Sequence, residues 1–418
     1  MKLVIFEDDQ FDQFYPLAYV RGVFDLKTGA TTLAEKIVRA AGADTDALLV
    51  RNVLAAVTAD AHEGVAVNNL ACCRGQEVLF VNARVCGVDW TVPSAPEAQW
   101  KGDRLAAWRT RNDVTQIADY AALAAAARSE PRVEFAGTWF EYIWDLMLAN
   151  PEMITADFKA AGRTGVEERM HAQAAVFGPT DQLYVAAGAE VHPFVCIDTH
   201  HGPVTLEKGV EVHPFTRIEG PCYVGRDTLL LGAKVREGCS IGPMCRVGGE
   251  VEESIIHGYS NKYHDGFLGH AYVGEWVNLG ALTTNSDLKN DYTTVSVKMG
   301  KSTIDTGSTK VGSFIGDHVK TSIGTLLNTG TFVGTMAVLV AMGAPLPKTI
   351  PAFSWFLNAT FSKGFGVEAL LKTARVTTKR RGLPLTENQE HVLRYVYDLT
   401  KEERLETVRK ARRIASAR

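Results

Sequence analysis

The sequence predicts an α/β domain, then an all-β solenoid of hexapeptide repeats (a parallel β-helix), then a C-terminal helical segment. Three observations carry that reading. Short apolar runs alternate with helix-like stretches early in the chain, an aliphatic residue then recurs every six positions, and prolines arrest this ladder before a final helical pattern.

At 418 residues the chain exceeds what one hydrophobic core serves, so more than one folding unit is expected. A composition of 46% hydrophobic and 22% charged residues excludes a disordered, collagen-like or coiled-coil chain. The net charge of −4, without long tracts of like charge, argues against nucleic acid as a partner. Two acids interrupt the N-terminal run Met1-Lys-Leu-Val-Ile-Phe-Glu-Asp before a signal-peptide core forms, and no apolar run approaches the roughly 18 residues of a membrane span. A soluble, cytoplasmic protein with no membrane partner is expected. Seven cysteines without a Cys-x-x-Cys motif point to reduced thiols. The Cys72-Cys73 pair reads as buried packing, with redox activity as the alternative.

In the front part, Leu3–Phe6, Ala47–Val50 and Val78–Asn82 have the apolar character of buried strands. Thr32–Arg39, the alanine-rich Leu105–Ala127 and Thr138–Met147 read as helices. In such sheets nucleotide sites gather at the carboxyl ends of the strands.

From about residue 183 one ladder runs Leu206, Val212, Ile218, Val224, Leu230, and slips into Val235, Ile241, Val247. It resumes at Val273 and Leu279, then at Ile315, Thr321, Leu327, Val333 and Leu339. Neither a helix nor an alternating strand has a period of six, whereas a parallel β-helix does, each aliphatic residue pointing into the prism. Gly225, Gly242 and Gly334, each following a ladder residue, suit tight corners that need positive φ. The polar stretch from Asn285 to Lys310 should loop out of the prism, and Pro345, Pro347 and Pro351 should end it. Leu393, Val396, Tyr397, Leu405 and Val408 are at helical spacing. They suggest a solvated helix covering the end of the solenoid, the alternative being phosphate or coenzyme binding by Arg409–Arg413. The resulting division is an α/β domain over 1–155, a linker over 156–182, the β-helix over 183–345 with a loop over 285–310, and a helical extension over 352–418.

Chemistry-bearing residues are densest between Gly258 and Asp287. In a solenoid, side chains that do not point inward lie on the outer faces or corners, so His264 and His270 with nearby Lys262, Phe267, Asn278, Asn285 and Asp287 make a groove. A neutral imidazole there can take a proton from an amine or hydroxyl attacking a thioester, and amide side chains can hold sugar hydroxyls. Two alternatives stand beside this: histidines that only satisfy corner hydrogen bonds, and a metal site of His264, Asp265 and His270, for which the zinc-type spacing is lacking.

The groove histidine, followed by Val277-Asn-Leu-Gly-Ala281 and Thr284-Asn-Ser-Asp287, resembles the acetyltransferase half of the bifunctional N-acetylglucosamine-1-phosphate uridyltransferase/glucosamine-1-phosphate acetyltransferase family. The likeness runs in particular to a bacterial branch of sugar nucleotidyltransferases, through Pro16–Gly22, Thr32–Lys36, Phe80–Arg84, Ser260–His270 and Asn285–Asn290. The resemblance implies a Rossmann-like nucleotidyltransferase domain of the type-A glycosyltransferase fold, then a left-handed parallel β-helix that forms a homotrimer. It also implies acetyl-CoA as acyl donor, and a sugar phosphate and a nucleoside triphosphate as substrates. By position, His264 matches the general base, Asn278 a sugar contact, and Asn285 the asparagine orienting base or acceptor. Phe267 stands where the family has tyrosine.

In the front domain, Glu7-Asp-Asp-Gln-Phe-Asp-Gln13 replaces the family's glycine-rich phosphate loop. Arg21 falls about where a catalytic lysine is expected and reads either as a phosphate contact or as a surface or structural arginine; Gly22 and Lys36 complete the nucleotide-binding set. Asn82 stands near the place of a Mg2+-binding aspartate. The function expected is CoA-dependent acyl transfer to an amino sugar by the β-helix, with nucleotidyl transfer, UTP serving as donor, by the front domain. The alternatives are a single-function acyltransferase and a non-catalytic nucleotide-sugar scaffold.

Overall fold

The computed structural model describes residues 1–168, 170–340 and 343–416. The chain divides into two compact units. One comprises Met1–Phe14, Val20–Lys27 and Thr31–Tyr142; the other comprises Tyr15–Tyr19, Thr28–Ala30 and Ile143–Arg418.

The first unit is Rossmann-like. Its central strand, Lys2–Phe6, pairs in parallel with Thr45–Leu49 on one side and Val78–Asn82 on the other. Because the chain turns to opposite sides of this strand, a switch point opens at its carboxyl end. Helix α1 (Leu33–Ala41) begins with a capping box between Thr32 and Glu35; a short helix, α2 (Ala55–Ala61), follows. The helix expected over Leu105–Ala127 is not formed as such. Arg104–Thr110 is a strand antiparallel to Val78–Asn82, and only α3 (Tyr120–Ala127) is helical. Trp108 stacks on Phe80 at 5.3 Å, a cross-strand contact that overrides the helix preference of the alanines.

The long segment of the second unit begins with α4 (Ile143–Leu148) and α5 (Asn150–Ala161), so part of the expected linker is helix and the helix expected from Thr138 begins only at Ile143. A parallel β-helix follows. One face is a ten-stranded sheet from Gly165–Val166 to Thr349–Ile350; the others hold six strands starting at Ala175–Phe177 and five starting at Glu190–Val191. Coils stack in register, so Leu206, Val224, Ile241, Ile256, Val273, Ile315, Val333 and Ile350 form one continuous inner column. Each is at most 2% exposed, and burying such a side chain contributes about 1.5–3 kcal/mol.

Gly225, Gly242 and Gly334 serve a purpose other than positive φ. A β-carbon on Gly242 would lie 2.0 Å from the His257 carbonyl, and one on Gly334 would lie 2.2 Å from the Ala352 nitrogen. They are required by the close approach of the next coil. Positive φ is taken at one corner column by Tyr259, Trp276 and His318.

The insertion after Asn285 contains the hairpin Ser296–Met299/Ser302–Asp305, anchored by buried Val295 and Val297. The prolines do not end the solenoid. It continues through Trp355–Leu357, which pairs with Val338–Leu339 and folds back onto Thr360–Ser362. Helices α6 (Gly366–Lys379), α7 (Glu387–Leu399) and α8 (Lys401–Ser416) follow. Arg409, Arg412 and Arg413 are exposed on α8. No helix among the described residues is long and apolar enough to cross a membrane.

Candidate active site

Strand Asn261–Lys262 ends at the corner that carries His264. Lys262 registers with the interior residue Val247 and is buried, its Nζ donating to the carbonyls of Gly248 (2.8 Å) and His264 (3.2 Å). Burial pushes its pKa down to about 8. Lys262 therefore braces the corner from inside, a correction to its expected place in the groove. His264 is turned outward, exposed, and tilts against Tyr263 at 4.9 Å. It opens onto a cavity of about 800 Å3 that Asn278 also lines. The Asn261 amide donates to Asn278 Oδ1 at 3.2 Å, and Tyr259 and Trp276 stack at 4.7 Å and 10° along the same cavity.

The other expected groove residues stand elsewhere. His270 sits at a different corner, 2% exposed, with Nδ1 2.8 Å from Asp287 and Nε2 3.2 Å from Glu253. Burial opposes its charged form, but the hydrogen bonds and charges of Asp287 and Glu253 prevail and push its pKa up to about 9. His270 and Asp287 thus form an ion-paired clamp on the insertion, and with both His270 nitrogens engaged a metal trio with His264 and Asp265 is not formed. Asn285 is buried, its amide both accepting from Gly269 N (2.9 Å) and donating to Gly269 O (2.8 Å), so it ties two coils together. The Phe267 ring covers Gly269, where a β-carbon would lie 2.4 Å from Phe267 Cζ. Among the described residues one further carboxylate group, Glu237, Glu252 and Glu253, brings ligand atoms within 4.8 Å of one another, but Arg236 and Lys310 bond to Glu252 and His270 to Glu253.

Sequence reasoning missed four cations lining the His264 cavity: Arg246, Lys320, and Arg380 and Arg381 from the end of α6. They lie in three separate segments with no common period, so only the folded chain brings them together.

In the α/β unit, the strand ends hold a closed charge network. Glu7 receives Arg51 at 2.8 Å. Asp8 is gripped by the Arg84 fork, Nε to Oδ2 at 2.8 Å and Nη2 to Oδ1 at 3.1 Å, and Arg84 is 1% exposed. Asn82 is fully buried, its amide donating to Asp8 Oδ2 (3.2 Å) and Leu105 O (3.0 Å) while its oxygen accepts from Arg84 N (3.0 Å). A hard dication needs open oxygen ligands. Here both Asp8 oxygens are engaged by the Arg84 guanidinium and the Asn82 oxygen by the Arg84 backbone N–H, and the residues do not fit Mg2+. Lys36 is fully buried and donates to Thr31 Oγ1 at 2.9 Å, which corrects its expected phosphate contact. The Arg21 carbonyl accepts from Arg51, and Gly22 precedes a 3-10 turn with the Phe24 ring against it. All seven cysteines are free; Cys72 is exposed, whereas burial pushes the Cys73 thiol up to about 12.

Residues 3–164 match the family model described as sugar nucleotidyl transferase. A bifunctional sugar-1-phosphate nucleotidylyltransferase/acetyltransferase of Sulfurisphaera tokodaii is 33% identical over 118 residues, 28% of this chain and 27% of that protein. The bifunctional protein GlmU of Jannaschia sp. is 27% identical over 222 residues, 51% of this chain and 46% of its own length. The chain thus spans about half or less of the relatives it matches. Among solved structures, a Francisella novicida UDP-N-acetylglucosamine acyltransferase superposes at TM-score 0.29 with 14% identity, over 57% of this chain and 89% of that one, too loosely to bear on fold or function. In sequence, the chain resembles the family of bifunctional sugar-1-phosphate nucleotidylyltransferase/acetyltransferases.

Proposed function

We propose that the β-helical unit transfers an acyl group, acetyl in the simplest case, from CoA to the amine of a sugar that carries a phosphate or a nucleotide. The observation that carries this reading is His264, an exposed imidazole opening onto the 800 Å3 cavity, with no hydrogen bond to its ring among the described residues. As the amine nitrogen attacks the thioester carbonyl, a C–N bond forms and the nitrogen's proton passes to His264. Collapse of the tetrahedral adduct breaks the C–S bond, and the departing thiolate takes the proton to leave as CoA. Asn278, oriented by Asn261, holds a sugar hydroxyl. Lys262 and Asn285 position the coils that carry the site without reaching into it. The reading carries with it a cytoplasmic homotrimer, as the resemblance implies.

In this reading the α/β unit keeps a nucleotidyltransferase fold without cation-dependent turnover. The match over residues 3–164 favours a second reading, nucleotidyl transfer from UTP to a sugar 1-phosphate. Mg2+ when bound would neutralise phosphate charge in such a reaction, but the engagement of Asp8 and Asn82 opposes it. The test is a mass-spectrometric assay with acetyl-CoA and glucosamine 1-phosphate. CoA release that His264→Ala abolishes at unchanged melting temperature is expected; equal activity of wild type and variant overturns the proposal.

A further inference from the structure

Arg246, Lys320, Arg380 and Arg381 converge on one cavity that, among the described residues, no aspartate or glutamate lines. Among the described residues, the hydrogen-bond partners of three of them are neutral. Arg246 donates to the carbonyls of Asp227 (3.0 Å) and Cys245 (2.9 Å), Arg381 to the amide oxygen of Asn261 (2.8 Å), and Lys320 to the carbonyl of Trp276. Elsewhere in the same unit guanidinium groups meet carboxylates, as in Arg236–Glu252 at 2.6 Å and Arg375–Glu390 at 2.5 Å. Burial depresses the Arg246 pKa, and the charge of Arg381 depresses it further, so the two guanidinium groups act on each other as like charges. Convergent cations repel, and a polyanion relieves the repulsion.

Two of the four come from outside the solenoid. Arg380 and Arg381 follow α6, and from there a hydrogen-bonded chain runs inward, Arg381 to Asn261 and Asn261 to Asn278. The stacked Tyr259 and Trp276 give the same cavity a flat aromatic surface. Guanidinium forks suit phosphate oxygens, and flat rings suit the sugar or base attached to them.

We infer that the C-terminal extension is a specificity-determining wall of this cavity: Arg380 and Arg381, with Arg246 and Lys320, hold the phosphate groups of a bound ligand, and Arg381 positions Asn278 through Asn261. The phosphates come either from a sugar phosphate or nucleotide acceptor or from CoA. The inference rests on the proposed function for what becomes of the ligand, but not for its binding.

The test is isothermal titration calorimetry of the full chain with CoA, glucosamine 1-phosphate and UDP, and with phosphate-free glucosamine as control. In the double variant Arg380→Ala/Arg381→Ala, the Kd of a phosphate probe should rise about tenfold or more, and added salt should narrow the gap. Lys401→Ala, which removes an exposed charge from α8, should leave the Kd unchanged, and melting curves should overlay. A loss confined to CoA assigns the wall to the donor, and a loss confined to glucosamine 1-phosphate or UDP assigns it to the acceptor; both support the inference. Equal binding of the phosphate probes by wild type and double variant overturns it, as does failure of every phosphate probe to bind wild type. Intact phosphate binding without acyl transfer would defeat the proposed function and leave this inference standing.

Discussion

At the strand ends of the α/β unit, the charges at the switch point are answered from within, Glu7 by Arg51 and Asp8 by Arg84. In the β-helical unit, Arg246, Lys320 and Arg381 around His264 meet carbonyls and an amide among the described residues. The difference teaches where chemistry remains open. A bidentate buried pair is complete and gains little from a ligand, whereas converging uncompensated charges are completed by one.

The largest expected effect lies on the open side. His264→Ala should lower kcat for acyl transfer about 10²–10⁴-fold with an unchanged melting curve, and an unchanged kcat would remove the comparison's functional half. On the closed side, Asp8→Ala leaves Arg84 buried without its carboxylate and should destabilise the α/β unit by about 3–5 kcal/mol, read by urea unfolding, while acyl transfer persists. A loss below about 1 kcal/mol would mean that the pair is not the internal closure described.

A smaller effect sharpens the contrast between clamp and catalyst, both histidines. The His270 pKa is raised from 6.5 to about 9, so its stabilisation is full below pH 6.5 and is lost as pH rises through about 9. The Asp287 and Glu253 pKa values are lowered, so their share is present above the ordinary carboxylate range and lost in acid. His270→Gln should therefore cost about 2–3 kcal/mol near pH 6 and little near pH 10. Parallel stability-against-pH curves for wild type and variant would contradict the clamp.

The six-residue period made the solenoid legible because interior positions repeat coil after coil, from Leu206 to Ile350. It failed where coil length changed. The turn from Val247 to Lys262 is shorter than the one from Leu230 to Val247, so the ladder was lost there and the inward place of Lys262 was hidden. His264 and Asn278 were legible as outward corner residues, and the structure brings them to one cavity. His270, Asn285 and Asp287 share their sequence neighbourhood but face other coils, a separation set by corner geometry. Arg84 stands within the short Phe80–Arg84 motif, but its pairing with Asp8 depends on two strand ends meeting, which no local pattern shows.

The most direct test of the central claim is a mass-spectrometric assay of the purified chain with acetyl-CoA, glucosamine 1-phosphate, UTP and Mg2+, omitting each in turn. The account predicts His264-dependent CoA release and an acetylated product that persist without UTP and without Mg2+, with no pyrophosphate formed. Mg2+-dependent pyrophosphate release from UTP, with no CoA release, would contradict it.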